Sequence, residues 1–166
     1  MPLNTLKELY VEELKDLYNA ENQLLKALPQ MAEAATAPKL KAAITEHLAQ
    51  TETHVRRLTQ IFEGLGEKPT GKVCKAMKGL IAEGEEVIEE EGEAHIKDAA
   101  LIAAAQRVEH YEMAGYGSAR SFAKLLGEID AVALLQLTLN EEGQADEKLT
   151  ILAESSINLE ANAVKA

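Results

Sequence analysis

Tryptophan is missing, cysteine occurs once, proline four times, and the aromatic residues are four tyrosines and two phenylalanines in a chain of 166. A single cysteine excludes an intrachain disulfide and fits a reducing compartment. With so few aromatics, any core must be built from aliphatic side chains and alanine, which suits close helix packing. Basic residues are also scarce: 17 Lys and Arg against 28 Asp and Glu give a formal net charge of −11. Such a chain lacks the clustered cations that neutralise phosphates, which argues against nucleic-acid partners and against anionic membrane surfaces. No run approaches the roughly 18 apolar residues of a membrane span. The segment MPLNTLKELYVEELKDLYNAE lacks the basic and apolar regions of a signal peptide. The expected location is cytoplasmic. No serine sits in a nucleophile-elbow context and the cysteine has no evident catalytic partner, so a nucleophilic hydrolase is not indicated. No organic cofactor is expected.

What the chain does have is helix formers. Leu, Ala, Glu, Lys and Gln dominate, and no segment alternates with period two over a useful length. The few breakers set the boundaries. Ala37-Pro38 closes a helix over about 4–35, which Pro29 should kink or divide, and opens a second over about 39–64 with Thr36 as its N-cap. GLGEKPTG at 64–71 ends that helix. A short amphipathic connector follows at 72–92, then long helices at about 94–126 and 128–155, separated by Gly127, and a frayed tail NLEANAVKA. Two antiparallel hairpins joined by a long crossover make an all-α four-helix bundle in one domain over 1–166.

Each long helix carries an apolar stripe at 3–4 residue spacing, and each stripe breaks at mid-length. The first breaks at Glu21, between Leu17 and Leu24. The second breaks at His47, Thr51 and His54, between Ile44 and Leu58. The third breaks at Glu109 and Glu112, and the fourth at Glu142 and Asp146. Antiparallel helices of similar length meet at their centres, so these groups should converge on one layer. Several carboxylates buried together need protons or cations to compensate their charge. Glu21, His47, Glu109, Glu112, Glu142 and Asp146 are therefore candidate metal ligands, with Glu109 and Glu112 (i, i+3) and Glu142 and Asp146 (i, i+4) sharing helix faces. Carboxylate oxygens with imidazole suit Fe or Mn, in one or two ions, with Zn as an adventitious occupant.

Each polar residue taken singly has a structural explanation. His54 lies about 10 Å along the helix axis from His47 and cannot share an ion with it, which marks it as structural. His110 should point off the seam, and His95 to solvent. Tyr18 and Tyr116 flank the layer, as hydrogen-bond partners, as electron donors to an oxidised metal or, more commonly, as core with a satisfied hydroxyl. Cys74 and Met77 suit core packing better than ligation, and the acidic stretch Glu85–Glu93 suits a solvated face.

The segments LYNAENQLLKALPQMA, EHLAQTE, KVCKAMKGLIAEG, DAALIAAAQRVEHYEMAGYGSAR and NEEGQADEKLT together resemble the YciE/YciF-like branch of the ferritin-like superfamily over nearly the whole chain. The resemblance implies a ferritin-like four-helix bundle, often a homodimer, associated with bacterial stress. It also implies a di-metal pattern that Glu21, His47, Glu109, Glu112 and Glu142 match. Ile44 stands where the pattern has the second-helix Glu, and Ala145 where it has the fourth-helix His. Counting five carboxylates and one imidazole predicts an asymmetric site, weaker at the position nearest His47. Two functions are consistent with this reading. One is a metal centre, di-iron or di-manganese, with oxygen- or peroxide-related activity; the other is a metal-free helical dimer serving as a scaffold or binding module.

Overall fold

A computed structural model describes residues 3–164. The chain forms helices α1 (Leu6–Ala34), α2 (Pro38–Leu65), α3 (Lys75–Glu89), α4 (Ala94–Leu126), α5 (Ile129–Leu152) and α6 (Asn158–Ala163), with no strand among the described residues. A π-helical turn at Ala153–Ile157 joins α5 to α6. The tail expected to fray is therefore helical as far as Ala163; the last two residues of NLEANAVKA lie outside the described residues. The other boundaries fall within about three residues of those read from the breakers.

Local chemistry fixes the ends. Thr5 and Glu8 form a capping box at α1, the Thr5 hydroxyl accepting from Glu8 N at 3.2 Å and Glu8 Oε2 accepting from Thr5 N at 2.8 Å. Gly66 and Gly127 close α2 and α4 with φ of 67° and 78°, in the left-handed region that costs other residues energy. Pro29 does not divide α1, which is one helix through it. Proline sits there on the exposed face, where the carbonyl it leaves unbonded can meet water.

The start of α2 differs from the expectation. Ala37, not Thr36, is the N-cap, and its side chain can cap nothing. The cap comes instead from buried Asp98 of α4. Its Oδ1 accepts from Thr36 N at 2.8 Å, and its Oδ2 accepts from the Thr36 hydroxyl at 2.6 Å and Ala37 N at 2.8 Å. A carboxylate at a helix N-terminus also meets the positive end of the helix dipole. Asp98→Ala strands these donors in a buried joint and should lower unfolding free energy by about 2–4 kcal/mol. Urea denaturation checks this; a loss below about 0.5 kcal/mol would show the cap to be dispensable.

Short connections make hairpins of α1–α2 and α4–α5. The four long helices touch in cyclic order, α1 on α2, α2 on α5, α5 on α4 and α4 on α1, while α3 lies across α1 and α4. Gly115 allows one close approach, since a Cβ there would come within 2.7 Å of Leu17 Cδ2.

The apolar interior falls into two clusters. One holds Leu24, Leu28, Leu40, Ile44, Leu101, Ile102, Val108 and Leu149. The other holds Tyr10, Leu14, Leu17, Leu58, Ile61, Phe62, Tyr116 and Leu135. Following each long helix shows what divides them: Glu21 on α1, His47, Thr51 and His54 on α2, Glu109 and Glu112 on α4, and Glu142 on α5. All of these are buried.

Candidate metal centre

Between the two apolar clusters, side chains from four helices meet. His47 Nε2 lies 3.3 Å from Glu109 Oε1 and 3.9 Å from Glu142 Oε2. His54 Nδ1 lies 3.0 Å from Glu142 Oε1 and 3.3 Å from Glu21 Oε1. Two groups of potential ligands result, with ligand atoms within 4.8 Å of one another. One is His47, Glu109, Glu112 and Glu142; the other is Glu21, His54 and Glu142. Glu142 belongs to both.

Of the six residues read as ligands from the sequence, the structure brings five together. Asp146 stands apart. Its Oδ1 accepts from Gln106 Nε2 at 3.0 Å, and its Oδ2 pairs with His110 Nε2 at 3.3 Å. An i+4 step overshoots a full helical turn by about 40°, and the short aspartate side chain follows that drift toward α4 instead of the centre. His54 corrects the opposite error. It does not share one group with His47; it enters the neighbouring group, beside Glu21 and Glu142. The two rings lean together, with centroids 6.3 Å apart. The clustered potential ligands number four carboxylates and two imidazoles, a donor set of the kind di-metal helix bundles use. The grouping differs from the expected split, since His47 joins Glu109, Glu112 and Glu142 instead of standing opposite them.

The remaining residues fall as follows. Tyr116 donates its hydroxyl to Glu21 Oε1, whereas Tyr18 packs edge-on against Phe62. Thr51, between the two histidines, turns its hydroxyl back to the His47 carbonyl at 3.0 Å. Cys74 and Met77 are buried, and Cys74 Sγ accepts from Met77 N at the start of α3 while meeting the Tyr111 hydroxyl at 3.0 Å. His110 and His95 are exposed. Glu141, which the sequence reading passed over, accepts from His54 Nε2 at 2.9 Å and from Arg57 Nη2 at 2.9 Å. That contact leaves His54 Nδ1 facing the carboxylates, the orientation a ligating imidazole needs. Adjacent glutamates at 141 and 142, one beside each face of the seam, were the available signal.

The polar atoms of this layer are unsatisfied. Among the described residues, Glu21 Oε2, His47 Nε2, His54 Nδ1, Glu109 Oε2 and both oxygens of Glu112 and Glu142 are buried with no hydrogen-bond partner. Buried polar groups ordinarily find partners, and these orphans are all potential donors to a cation. The electrostatics agree. Burial, with the charge of neighbouring carboxylates, holds Glu109 and Glu112 well above the usual range and pushes Glu21 up to about 7. Burial opposes the His54 imidazolium, but Glu142 and Glu21 outweigh it and push its pKa up to about 10. His47, desolvated with less compensation, titrates below its ordinary value. Protons are substituting poorly for positive charge, and the set of oxygen and imidazole donors fits a hard or borderline divalent ion.

No helix among the described residues is long and apolar enough to cross a membrane. The family described as a domain of unknown function (DUF892) matches residues 5–162. The chain is 42% identical to Protein YciF of Escherichia coli (strain K12) over 162 residues, 97% of this chain and 98% of that one. The crystal structure of the E. coli stress protein YciF superposes with a TM-score of 0.90 at 43% identity, covering 93% of this chain and 98% of that chain. YcfI from Rhodopseudomonas palustris gives 0.86 at 44% identity, covering 89% and 94%. A protein from Xanthomonas campestris, 19% identical, shares the fold with a TM-score of 0.75, covering 96% and 100%. With an all-helical fold, a buried carboxylate–imidazole layer and matches over nearly its whole length, the chain belongs to the DUF892 family and is a YciE/YciF-like protein.

Proposed function

We propose that the protein is a stress-associated ferritin-like metal protein in which Glu21, His47, His54, Glu109, Glu112 and Glu142 hold two divalent ions, iron or manganese, with Glu142 shared between them. One observation carries the reading: eight buried ligand atoms from six residues on four helices face one another without a hydrogen-bond partner. Such a pair of ions supplies Lewis acidity and one-electron steps toward oxygen or peroxide. The protein's own part is to fix the ligands and exclude water. The Glu141–His54 contact sets one imidazole, the Tyr116 hydroxyl holds Glu21, and the apolar clusters above and below seal the layer.

Anaerobic calorimetric titration of the chelator-stripped protein with Fe(II) or Mn(II) tests the reading. About two ions per chain are expected, with His54→Ala losing the three-ligand site first and His47→Ala weakening the fuller one. A protein that takes up neither ion would be a metal-free helical scaffold instead. The partner we propose is a second copy of the chain, supported by Leu125 and Ile129 standing exposed at the α4–α5 turn. Sedimentation equilibrium giving a monomer at micromolar concentration would remove it.

A further inference from the structure

The six clustered residues are not equally sealed. Glu21, His54, Glu112 and Glu142 are 0% exposed, whereas His47 retains 6% and Glu109 2%. Both of these residues line a cavity of about 150 Å³. Its walls come from all four long helices, chiefly across the α2–α5 seam, and include Ile44 and Ala43 facing Ala145 and Leu149. Ile44 and Ala145 are the positions where the wider ferritin-like pattern would place ligands. Here an aliphatic side chain and a methyl group leave the volume open. At the rim of the same cavity, Glu46 of α2 and Lys148 of α5 are joined by an ion pair.

The geometry points to this cavity as the port of the metal centre, through which divalent ions pass the Glu46–Lys148 pair and reach the His47–Glu109 end first. This rests on the metal reading of the cluster and adds the route and its gate. The far end of the layer is closed by Tyr116 and by the His54–Glu141–Arg57 contacts. Behind the apolar-walled opening, orphaned carboxylate oxygens and an imidazole nitrogen offer an arriving cation its ligands, and the protons it displaces can leave by the same opening. A cavity of this size has room for several waters, so an ion can exchange its hydration shell stepwise for Glu109 and His47. A smaller cavity of about 30 Å³ among α1, α3 and α4 also touches Glu109, but apolar side chains and Gly84 make most of its wall.

Stopped-flow uptake of Co(II), followed by the absorption change as water ligands are replaced, tests the route. The same protein samples give the equilibrium dissociation constant by titration. In Ala145→Phe, which fills the cavity, uptake and release to a chelator should both slow by about tenfold or more, as for a closed gate. The dissociation constant should stay within a factor of about three, because no ligand is lost. Lys148→Ala removes the ion pair and leaves the Glu46 carboxylate at the rim. Uptake should then quicken by about threefold or more at low salt, and the gain should shrink as salt screens the field. Gly84→Leu, filling the smaller cavity, should change neither rate. The route is overturned if folded Ala145→Phe and Lys148→Ala both load at the wild-type rate, or if Gly84→Leu alone slows loading. If the unmodified protein takes up no ion, the metal reading falls and the port with it; if it loads normally while the port variants do nothing, the port alone falls.

Discussion

Stripped of metal, the protein is expected to lose stability steadily as pH rises from about 5 to 9, and a saturating divalent ion is expected to reverse that slope. Glu21 has its folded-state pKa raised to about 7, against about 4.3 in an unfolded chain. The folded state therefore binds the extra proton, and its contribution is complete below the unfolded value and lost as pH passes through 7. Glu109 and Glu112 are displaced in the same direction by burial and neighbouring charge. His54, raised to about 10, adds stability that is complete below about 6.5 and lost as pH climbs toward 10. His47, shifted down by desolvation, works the other way below pH 6.5, but it is one group against four. The combined loss between pH 5 and 9 should be about 2–4 kcal/mol, allowing for coupling among the sites. Metal binding requires the same carboxylates deprotonated, so its stabilisation grows with pH. At a free ion concentration a thousandfold above the dissociation constant it reaches about 4 kcal/mol. Scanning calorimetry in chelator and in Mn(II), at pH 5, 6, 7, 8 and 9, reads both slopes. Apo stability that is flat or rising between pH 6 and 9 would contradict the electrostatic account of the layer.

Replacing Glu112 by leucine should stabilise the metal-free protein and abolish most of the stabilisation by metal. Both oxygens of Glu112 are buried without partners, and the residue is fully enclosed. In the absence of an ion the carboxyl is a buried polar group among carboxylates, its pKa raised by burial and by their charge. An apolar side chain of similar volume removes that cost, and substitutions of this kind in buried charged sites yield about 1–4 kcal/mol. The same change takes one ligand from the four-member group. The unfolding free energies of Glu112→Leu and wild type should therefore cross, the variant being more stable in chelator and less stable in Fe(II) or Mn(II). A variant destabilised under both conditions would mean that Glu112 has a structural partner the geometry does not reveal.

The all-helical fold was legible because few residues break its helices, and the polar layer because each long stripe fails at mid-length. Glu21, His47, Glu109, Glu112 and Glu142 could be placed on that level by following each apolar stripe at 3–4 residue spacing to where it breaks. What counting could not supply was three-dimensional. His54 was set aside on its axial distance from His47, yet it enters the neighbouring group beside Glu21 and Glu142. Asp146 sat on the seam by spacing, yet an i+4 step and a short side chain carried it to Gln106 and His110. The cap on α2 comes from Asp98, 61–62 residues beyond the backbone amides it accepts from, and no local pattern announces such a contact. Glu141 looked like one more acidic surface residue until His54 and Arg57 converged on it. Local rules set where helices begin and which face they bury; which neighbour each polar group meets depends on how the faces are apposed.

Splitting the interior into two apolar clusters has a further consequence for how the molecule opens. Cooperative unfolding relies on a continuous network of apolar contacts, and here that network is interrupted across the whole cross-section. Besides the helix backbones, polar contacts such as Tyr116–Glu21 and Tyr111–Asp16 cross the gap. Without ions, the half around Leu28, Leu101 and Leu149 and the half around Leu14, Leu58 and Leu135 are expected to open as separate units along the same four rods. Occupied by cations bound from all four rods, the middle layer would act as a clamp that makes the units fail together. A residue set that reads chemically as a ligand shell is thus, mechanically, the hinge line of the bundle, and amide exchange along α2 and α4 is where that double role becomes visible.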